Sequence, residues 1–206
     1  MYIEIIDLIR SCDRARVDFA VGTVLTAAIT GLAVAVASPQ AAQAADEAAI
    51  QRLIETNECP GCDLHEADFR RLDLSGANLA GADLEGANFY YANLDGAQLT
   101  NANLIDVNFG YTSAQNTVFD GSDLRYAVFT RTNLSGASMI KTDLREAYIN
   151  GAIFTNTLLN NADMRDTLYT DADFSQADLC GSITWAGLDY RRGCTVAVPT
   201  EIDDPY

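Results

Sequence analysis

The chain has 206 residues and a formal net charge of −16, with 29 acidic against 13 basic residues. A surface this acidic repels nucleic acid and anionic membranes, so both are excluded as partners of the folded part of the chain. It permits binding to basic proteins, or it serves solubility alone.

Residues 1–44 have the features of a signal peptide. Arg10, Arg14 and Arg16 precede an uncharged stretch at 19–37 that is rich in Ala, Val and Leu. Ala42-Gln43-Ala44 offers a small-residue cleavage site. The uncharged stretch is also about long enough to span a bilayer, so an uncleaved membrane anchor stays open as the alternative. Either way, the rest of the chain is expected outside the cytoplasm.

Residues 45–62 predict a capping helix followed by a cysteine turn. Asp46 is a good helix N-cap residue, and one apolar stripe is formed by Ala49, Ile50, Leu53 and Ile54. A helix this short is marginal alone, so the stripe is expected to cover the end of the domain that follows.

Residues 63–182 carry one apolar side chain at every fifth position, from Leu64 to Leu179. Of these 24 central positions, only Ala114 is not a large apolar residue. A small residue, such as Ala77 or Ala82, lies two positions before the central one, and Asp or Asn commonly lies directly before it. A period of five fits neither a helix nor a single strand, so it indicates a repeat architecture.

The spacing of the phenylalanines predicts how the repeats close into coils. Twenty residues separate successive members of the set Phe69, Phe89, Phe109 and Phe129, and also separate Phe154 from Phe174. Four repeats per coil would stack these rings about 4.8 Å apart. The sequence therefore predicts an all-β solenoid, a quadrilateral β-helix of about six coils and roughly 29 Å in length. At Ala114 we expect either a cavity or a locally narrowed coil.

The repeat motif resembles the pentapeptide-repeat family. The pattern A(D/N)LxG stands in this chain as Ala77-Asn78-Leu79-Ala80-Gly81 and Ala82-Asp83-Leu84-Glu85-Gly86. The resemblance covers about three fifths of the chain and implies a right-handed coil. The helix and cysteine segment at 53–64 is similar to the lead-in of exported members from oxygenic photosynthetic bacteria and chloroplasts. That similarity implies a location in the thylakoid lumen or the periplasm.

Four cysteines remain after the export segment, namely Cys59, Cys62, Cys180 and Cys194. An even number suits disulfides in an oxidising compartment, and three pairings are possible. We favour Cys59–Cys62 and Cys180–Cys194, because the solenoid separates the two pairs by about its full length. A redox or metal role for Cys59 and Cys62 is the alternative. Residues 183–206 are predicted to form a C-terminal cap, built on Trp185, Leu188 and Tyr190, and an acidic tail.

Nothing in the sequence favours catalysis, so we predict no enzyme, cofactor or metal site. The acidic residues follow the turn positions of the repeat, and His65 is expected to be an ordinary surface residue. Function is instead expected on the outer surface. The side that carries the phenylalanines presents one outward column of tyrosines and arginines, which is the composition expected of a contact surface. The candidate partner surface comprises this column and its flank: Arg71, Tyr90, Tyr91, Tyr111, Arg131 and Tyr148. Stacking of the tyrosines on one another is the purely structural alternative.

We therefore expect a noncatalytic protein-interaction or scaffold module outside the cytoplasm, with an unknown protein partner and no nucleic acid. It would contact a membrane only through an uncleaved N-terminal segment. Two alternatives stay open. Some members of the family the chain resembles are acidic DNA mimics that bind a type II topoisomerase, but export would put this chain in the wrong compartment. The other alternative is a thiol redox protein that uses Cys59 and Cys62.

Overall fold

The computed structural model describes residues 46–184. They contain helix α1 (Glu47–Thr56), strand β1 (Tyr148–Asn150) and strand β2 (Leu168–Thr170). Residues 1–45 and 185–206 lie outside the described part of the chain. The predicted export segment, the acidic tail and the three aromatic or apolar residues of the predicted C-terminal plug therefore stay predictions.

The backbone of residues 58–183 forms coils with a register of twenty residues. Parallel bridges pair one residue of each repeat with the residue twenty positions on, from Glu58↔Asn78 to Asp163↔Ile183, and strands β1 and β2 pair in the same register. Typical hydrogen bonds run from Leu64 N–H to the Asp83 carbonyl at 2.7 Å and from Asp83 N–H to the Cys62 carbonyl at 2.8 Å. A five-residue repeat in this register gives four sides per coil, as the phenylalanine spacing predicts. We name each side after its first central residue: the Leu64, Phe69, Leu74 and Leu79 sides.

Extended segments are much shorter than the term β-helix suggests. Within the described residues only β1 and β2 qualify as strands, and they pair in parallel on the Phe69 side. Elsewhere each side is joined to the same side of the next coil by a single-residue bridge. The reason is the corner of each repeat, because every fifth residue from 61 to 181 has a positive φ. Each side therefore has too few extended residues for a longer ladder.

The interior is filled by the central residues and the small residues two positions earlier. The stacked phenylalanine rings have centroids 5.0 Å apart for Phe69–Phe89, 5.4 Å for Phe89–Phe109 and 5.2 Å for Phe109–Phe129. Phe154 and Phe174 stack at 4.7 Å on the Leu74 side. The predicted ring ladders are confirmed, and they form one continuous core along the solenoid.

At Ala114 the coil neither shifts nor loses its register. The residue is fully buried, and its N–H donates to the Asn133 carbonyl at 2.8 Å as in other repeats. The adjacent side carries Phe119, whose ring meets Phe109 edge to face at 5.8 Å. Phe109 and Phe119 lie on opposite sides, so their contact crosses the interior beside Ala114. The small residue Ala114 is thus accompanied by the large residue Phe119 on the adjacent side of the same coil.

Helix α1 covers the N-terminal end of the solenoid. The Asp46 side chain accepts a hydrogen bond from the Ala48 N–H at 3.0 Å, and Asn57 ends the helix in the left-handed region with φ 58°. Ala49 and Leu53 are buried in the same core as the first coil. The predicted helix is confirmed, and the burial of these two residues agrees with its predicted role as a cover for the first coil.

Candidate functional site

The Phe69 side presents a column of corner residues that we call the tyrosine column: Arg71, Tyr91, Tyr111 and Arg131. The twenty-residue register stacks them one coil apart. The Tyr91 and Tyr111 rings are nearly parallel, at 19° and 4.9 Å between centroids. The Arg131 guanidinium lies 6.0 Å from the centre of the Tyr111 ring, within cation–π range. Tyr91 is 50% exposed and Tyr111 37% exposed, so both residues of the stack are accessible to a partner.

Tyr90 completes an aromatic cluster beside the column. Its ring meets Tyr91 edge to face at 4.7 Å and Tyr111 at 5.5 Å. Burial against these neighbours, followed by the charges of the two adjacent phenols, raises the pKa of Tyr90. The Tyr90 phenol is therefore neutral at neutral pH, and it can both donate and accept hydrogen bonds.

The sequence analysis missed Gly110, which makes this cluster possible. A Cβ on Gly110 would lie 2.9 Å from Cδ2 of Tyr90, a contact that real Cβ atoms essentially never show. Every other solenoid glycine in the described region has a positive φ, whereas the φ of Gly110 is not positive. Its absence of a side chain is thus required by space rather than by backbone conformation. The readable signal was a glycine outside the corner position of its repeat.

The two arginines at the ends of the column have no ionic partner. Within residues 46–184, neither the Arg71 nor the Arg131 guanidinium takes part in a hydrogen bond or an ion pair, and both residues are exposed. The stem of Arg131 crosses Gly151 of the next coil, where an added Cβ would lie 3.3 Å from its Cγ. In contrast, Arg70 on the same side is paired with Asp68 at 2.5 Å.

Tyr148 lies on the same side but outside the cluster. It belongs to a second column with Val128 and Leu168, which are joined through the backbone bridge and the β1–β2 pair. The Tyr148 hydroxyl accepts a hydrogen bond from the Asn150 amide at 3.1 Å, and no ring contact joins Tyr148 to the other described tyrosines. Leu168 is 65% exposed. The structure thus brings together five of the six predicted surface residues along one column and its flank.

The Leu64 side is acidic at its N-terminal end and carries a ladder of Asp–Arg pairs at its C-terminal end. The aspartate and arginine pair at 2.7 Å for Asp123–Arg125 and at 2.6 Å in the next two rungs, Asp143–Arg145 and Asp163–Arg165. The hydrogen bonds from Arg125 and Arg165 lower the pKa values of Asp123 and Asp163. These three arginines are each paired with an aspartate, so between residues 46 and 184 this side has no arginine free for a ligand.

The N-terminal end of the solenoid holds the cysteine pair and the histidine. Cys59 and Cys62 form a disulfide, with Cys59 fully buried and Cys62 7% exposed, and the Arg52 guanidinium contacts both sulfurs. Cys59 and Cys62 fill the inward positions of their repeat. His65 lies 3.7 Å from Asp63 and 3.9 Å from Glu66. In residues 46–184 no cluster of His, Cys, Asp and Glu is arranged to hold a metal ion.

The Cys180–Cys194 pairing stays a prediction, because Cys194 lies outside the described residues. No helix in the described region is both long and apolar enough to cross a membrane.

Comparison with known proteins identifies the family to which this repeat belongs. A family model for pentapeptide repeats matches residues 67–104, 102–139, 127–166 and 142–183. No curated protein matches the chain significantly. Among solved structures, a pentapeptide repeat protein from the cyanobacterium Cyanothece 51142 is 23% identical, covering 61% of this chain and 97% of its own, with a TM-score of 0.46.

Two other solved structures are similar. A pentapeptide repeat protein from the Arabidopsis thaliana thylakoid lumen is 24% identical, with 55% of this chain and 66% of that chain covered and a TM-score of 0.42. A plasmid-mediated fluoroquinolone resistance protein is 23% identical, with 60% and 65% covered and a TM-score of 0.38. Pentapeptide repeat proteins are generally noncatalytic. The match to the family model spans more than half of the sequence, and the chain belongs to the pentapeptide-repeat family.

Proposed function

We propose that this protein is a noncatalytic interaction module that binds a protein partner through the tyrosine column of its Phe69 side. The observation that carries the proposal is the exposed Tyr91–Tyr111 stack, supported by Tyr90 and ended by two unpaired arginines. Tyrosine and arginine are the residue types enriched at the energetic centres of protein interfaces. The column therefore has the composition and the rigidity of a binding surface.

The fold supports a binding role because it makes this surface rigid. Each corner of the column is fixed by a backbone hydrogen bond to the next coil, such as Tyr91 N–H to the Gly110 carbonyl at 3.0 Å and Tyr111 N–H to the Thr130 carbonyl at 2.8 Å. The rings beneath them belong to the stacked phenylalanine core. Residues held in place before binding lose little conformational freedom when a partner arrives.

The proposed location is outside the cytoplasm, in the thylakoid lumen or the periplasm. Its support is the signal-like composition of residues 1–44 and the Cys59–Cys62 disulfide, which suits an oxidising compartment. N-terminal sequencing of the protein isolated from its host tests this part directly. A mature chain that begins near Ala45 is expected, whereas an intact N-terminus with cytoplasmic recovery would contradict export.

The binding proposal is tested by affinity capture from lumenal or periplasmic extract. The double variant Tyr91→Ser, Tyr111→Ser should lose the partner that the wild type retains. Its fold should persist, because the two residues are exposed and one aromatic pair contributes only about 1 kcal/mol. Circular dichroism melting verifies that the variant is folded under the capture conditions.

Tyr126 provides a matched control. It is 46% exposed, has a positive φ like Tyr91 and Tyr111, and lies on the Leu64 side instead. Tyr126→Ser should leave capture unchanged. If the double variant keeps its partners but loses several degrees of melting temperature, the stacked tyrosines are a structural ladder and not a binding site.

A further inference from the structure

The charge of the Phe69 side differs from that of the rest of the solenoid. Within residues 46–184 four cations are without an ionic partner, and two of them, Arg71 and Arg131, lie at the two ends of the tyrosine column. The others are Lys141 on the Leu79 side and Arg52, whose guanidinium contacts the disulfide sulfurs at the N-terminal end. In a protein with a net charge of −16, unpaired positive charge thus lies at both ends of the tyrosine column.

From the position of these groups we propose that the tyrosine column binds an extended acidic segment of a partner protein, with the pattern acidic-x-apolar-x-acidic. The inference rests on the proposed function and specifies the chemistry of the partner. Each acidic side chain would pair with one of the arginines, and the apolar side chain would contact the exposed edges of Tyr91 and Tyr111.

The spacing follows from the geometry of the solenoid. Arg71 and Arg131 are separated by three coils in the twenty-residue register, which is about 14 Å at the usual spacing between strands. An extended chain rises about 3.4 Å per residue, so four residues cover nearly the same distance. Side chains at positions one, three and five of an extended segment also point to the same face. Two acids four residues apart can therefore face the two arginines together, with the residue between them over the rings.

The surface between the arginines suits an apolar side chain flanked by backbone. Tyr91 and Tyr111 present ring edges because their faces are used in the stack and in the contact with Arg131. Their hydroxyls can donate to or accept from a peptide backbone. Arginine pairs with carboxylates through two parallel hydrogen bonds when no competing partner is present. Arg70 cannot substitute, because Asp68 already occupies it.

The acidic sides of the solenoid do not prevent this contact. At physiological ionic strength the screening length is about 8 Å, so charges on the other sides act weakly on a ligand held at the column. They do discourage binding of acidic ligands elsewhere on the rod. The result is selectivity for one side.

An NMR titration of the mature domain with capped synthetic peptides tests the inference. The probe is Gly-Glu-Thr-Leu-Thr-Glu-Gly, and its isomer Gly-Glu-Glu-Leu-Thr-Thr-Gly has the same charge with the two acids on opposite faces. The first peptide should shift the amide signals of the column and bind about two- to fivefold more tightly than the isomer, as expected for one additional exposed ion pair. Equal binding of both peptides, or no shift with either, would overturn the inference.

Charge-reversal variants assign the contacts. Arg131→Glu and Arg71→Glu should each weaken binding of the first peptide by at least about fivefold. Lys141→Glu is the matched control, because Lys141 is also an exposed, unpaired corner residue with positive φ, and it should leave binding unchanged. An equal loss in the Lys141 variant would show nonspecific attraction and overturn the assignment.

The extract experiment separates this inference from the function on which it rests. If the tyrosine double variant loses its partner, but the arginine variants retain it and the peptides do not bind, the interaction module stands and the acidic-segment inference fails. If neither set of variants changes capture, both fail. Loss of the same captured protein in both sets, together with peptide selectivity, supports both.

Discussion

The pairing of a small residue with a large one in the middle of the solenoid leads to a double-mutant cycle on Ala114 and Phe119. Ala114 occupies a central position where the coils before and after carry Leu94 and Leu134, and Phe119 meets Phe109 across the interior beside it. A phenylalanine side chain has three more carbon atoms than leucine, and leucine has three more than alanine. The pair Ala114–Phe119 therefore holds as many side-chain carbons as a pair of leucines.

The expected energies follow from that match. Ala114→Leu adds three carbons beside a buried ring and should destabilise the fold by about 1–3 kcal/mol through overpacking. Phe119→Leu removes three buried carbons, at about 0.8 kcal/mol each, and should cost about 2–3 kcal/mol. The double variant keeps the total and should cost less than about 1.5 kcal/mol. The coupling energy would then be at least about 1.5 kcal/mol.

Urea unfolding followed by circular dichroism measures all four species, with equal m-values required for a valid cycle. The control cycle combines Ala114→Leu with Phe69→Leu, which is buried like Phe119 but more than two coils away, or about 11 Å. Those two changes should be additive. If Ala114→Leu alone is neutral or stabilising, the coil contains a cavity and the compensation by Phe119 is wrong.

Two further predictions concern the core and the pH dependence of stability. Leu104→Asp should prevent folding because it buries an unpaired charge. Asp83→Ala should cost only about 1 kcal/mol, for the hydrogen bonds that it removes. Equal melting temperatures of the two variants would contradict the assignment of Leu104 to the interior and Asp83 to the surface. The second prediction uses Asp163, whose pKa is lowered first by the hydrogen bond from Arg165. The unfolded state then binds more protons, so this contribution is complete above about pH 5 and is lost as the pH falls through the native pKa. Arg165→Gln should weaken that acid loss, and identical melting curves between pH 2 and 7 would contradict it.

The coil could be predicted from the sequence because a single physical requirement repeats without interruption. Residues in the phase of Leu64 fill the interior, and the residues two positions earlier are small or medium-sized apart from the partly buried Leu72. The twenty-residue register followed from the phenylalanines, because stacking large rings on one side is the arrangement that a narrow interior accepts. The observed bridges have that register throughout. The fold could thus be predicted because a short sequence pattern is repeated many times.

Other features depend on contacts between coils that the period does not encode. At Ser113 the usual Asp or Asn is missing, and Asp95 of the preceding coil accepts hydrogen bonds from the Ser113 hydroxyl at 2.7 Å and the Gln115 N–H at 2.8 Å. Asp120 does the same for Ser138 and Ile140. The turn rule explains aspartate within a repeat, but it does not indicate that an aspartate stabilises the repeat one coil later.

The candidate surface was predicted in position but not in shape. Columns twenty residues apart identified Tyr91 and Tyr111 as neighbours, and their parallel stack follows from the register. The position of Tyr90 over Gly110 could not be derived, because it depends on a rotamer that only the missing Cβ of the next coil permits. Likewise, the unpaired state of Arg131 depends on what surrounds it, which the period does not specify.

The corner positions give a reason to separate structural from functional residues on this solenoid. Every corner has a positive φ, a conformation that costs an ordinary L-residue about 1 kcal/mol and glycine almost nothing. The corners of the Leu74 side have residues that adopt this conformation at low cost, such as Gly76, Gly96 and Asn116. The Phe69 side instead places Tyr91 and Tyr111 at consecutive corners. Their rings recover part of that free energy by stacking, but a stack alone does not require arginines without partners at its two ends. The proposed binding role would account for both features, since the rings would supply contact area and the arginines would supply charge to a ligand that spans them.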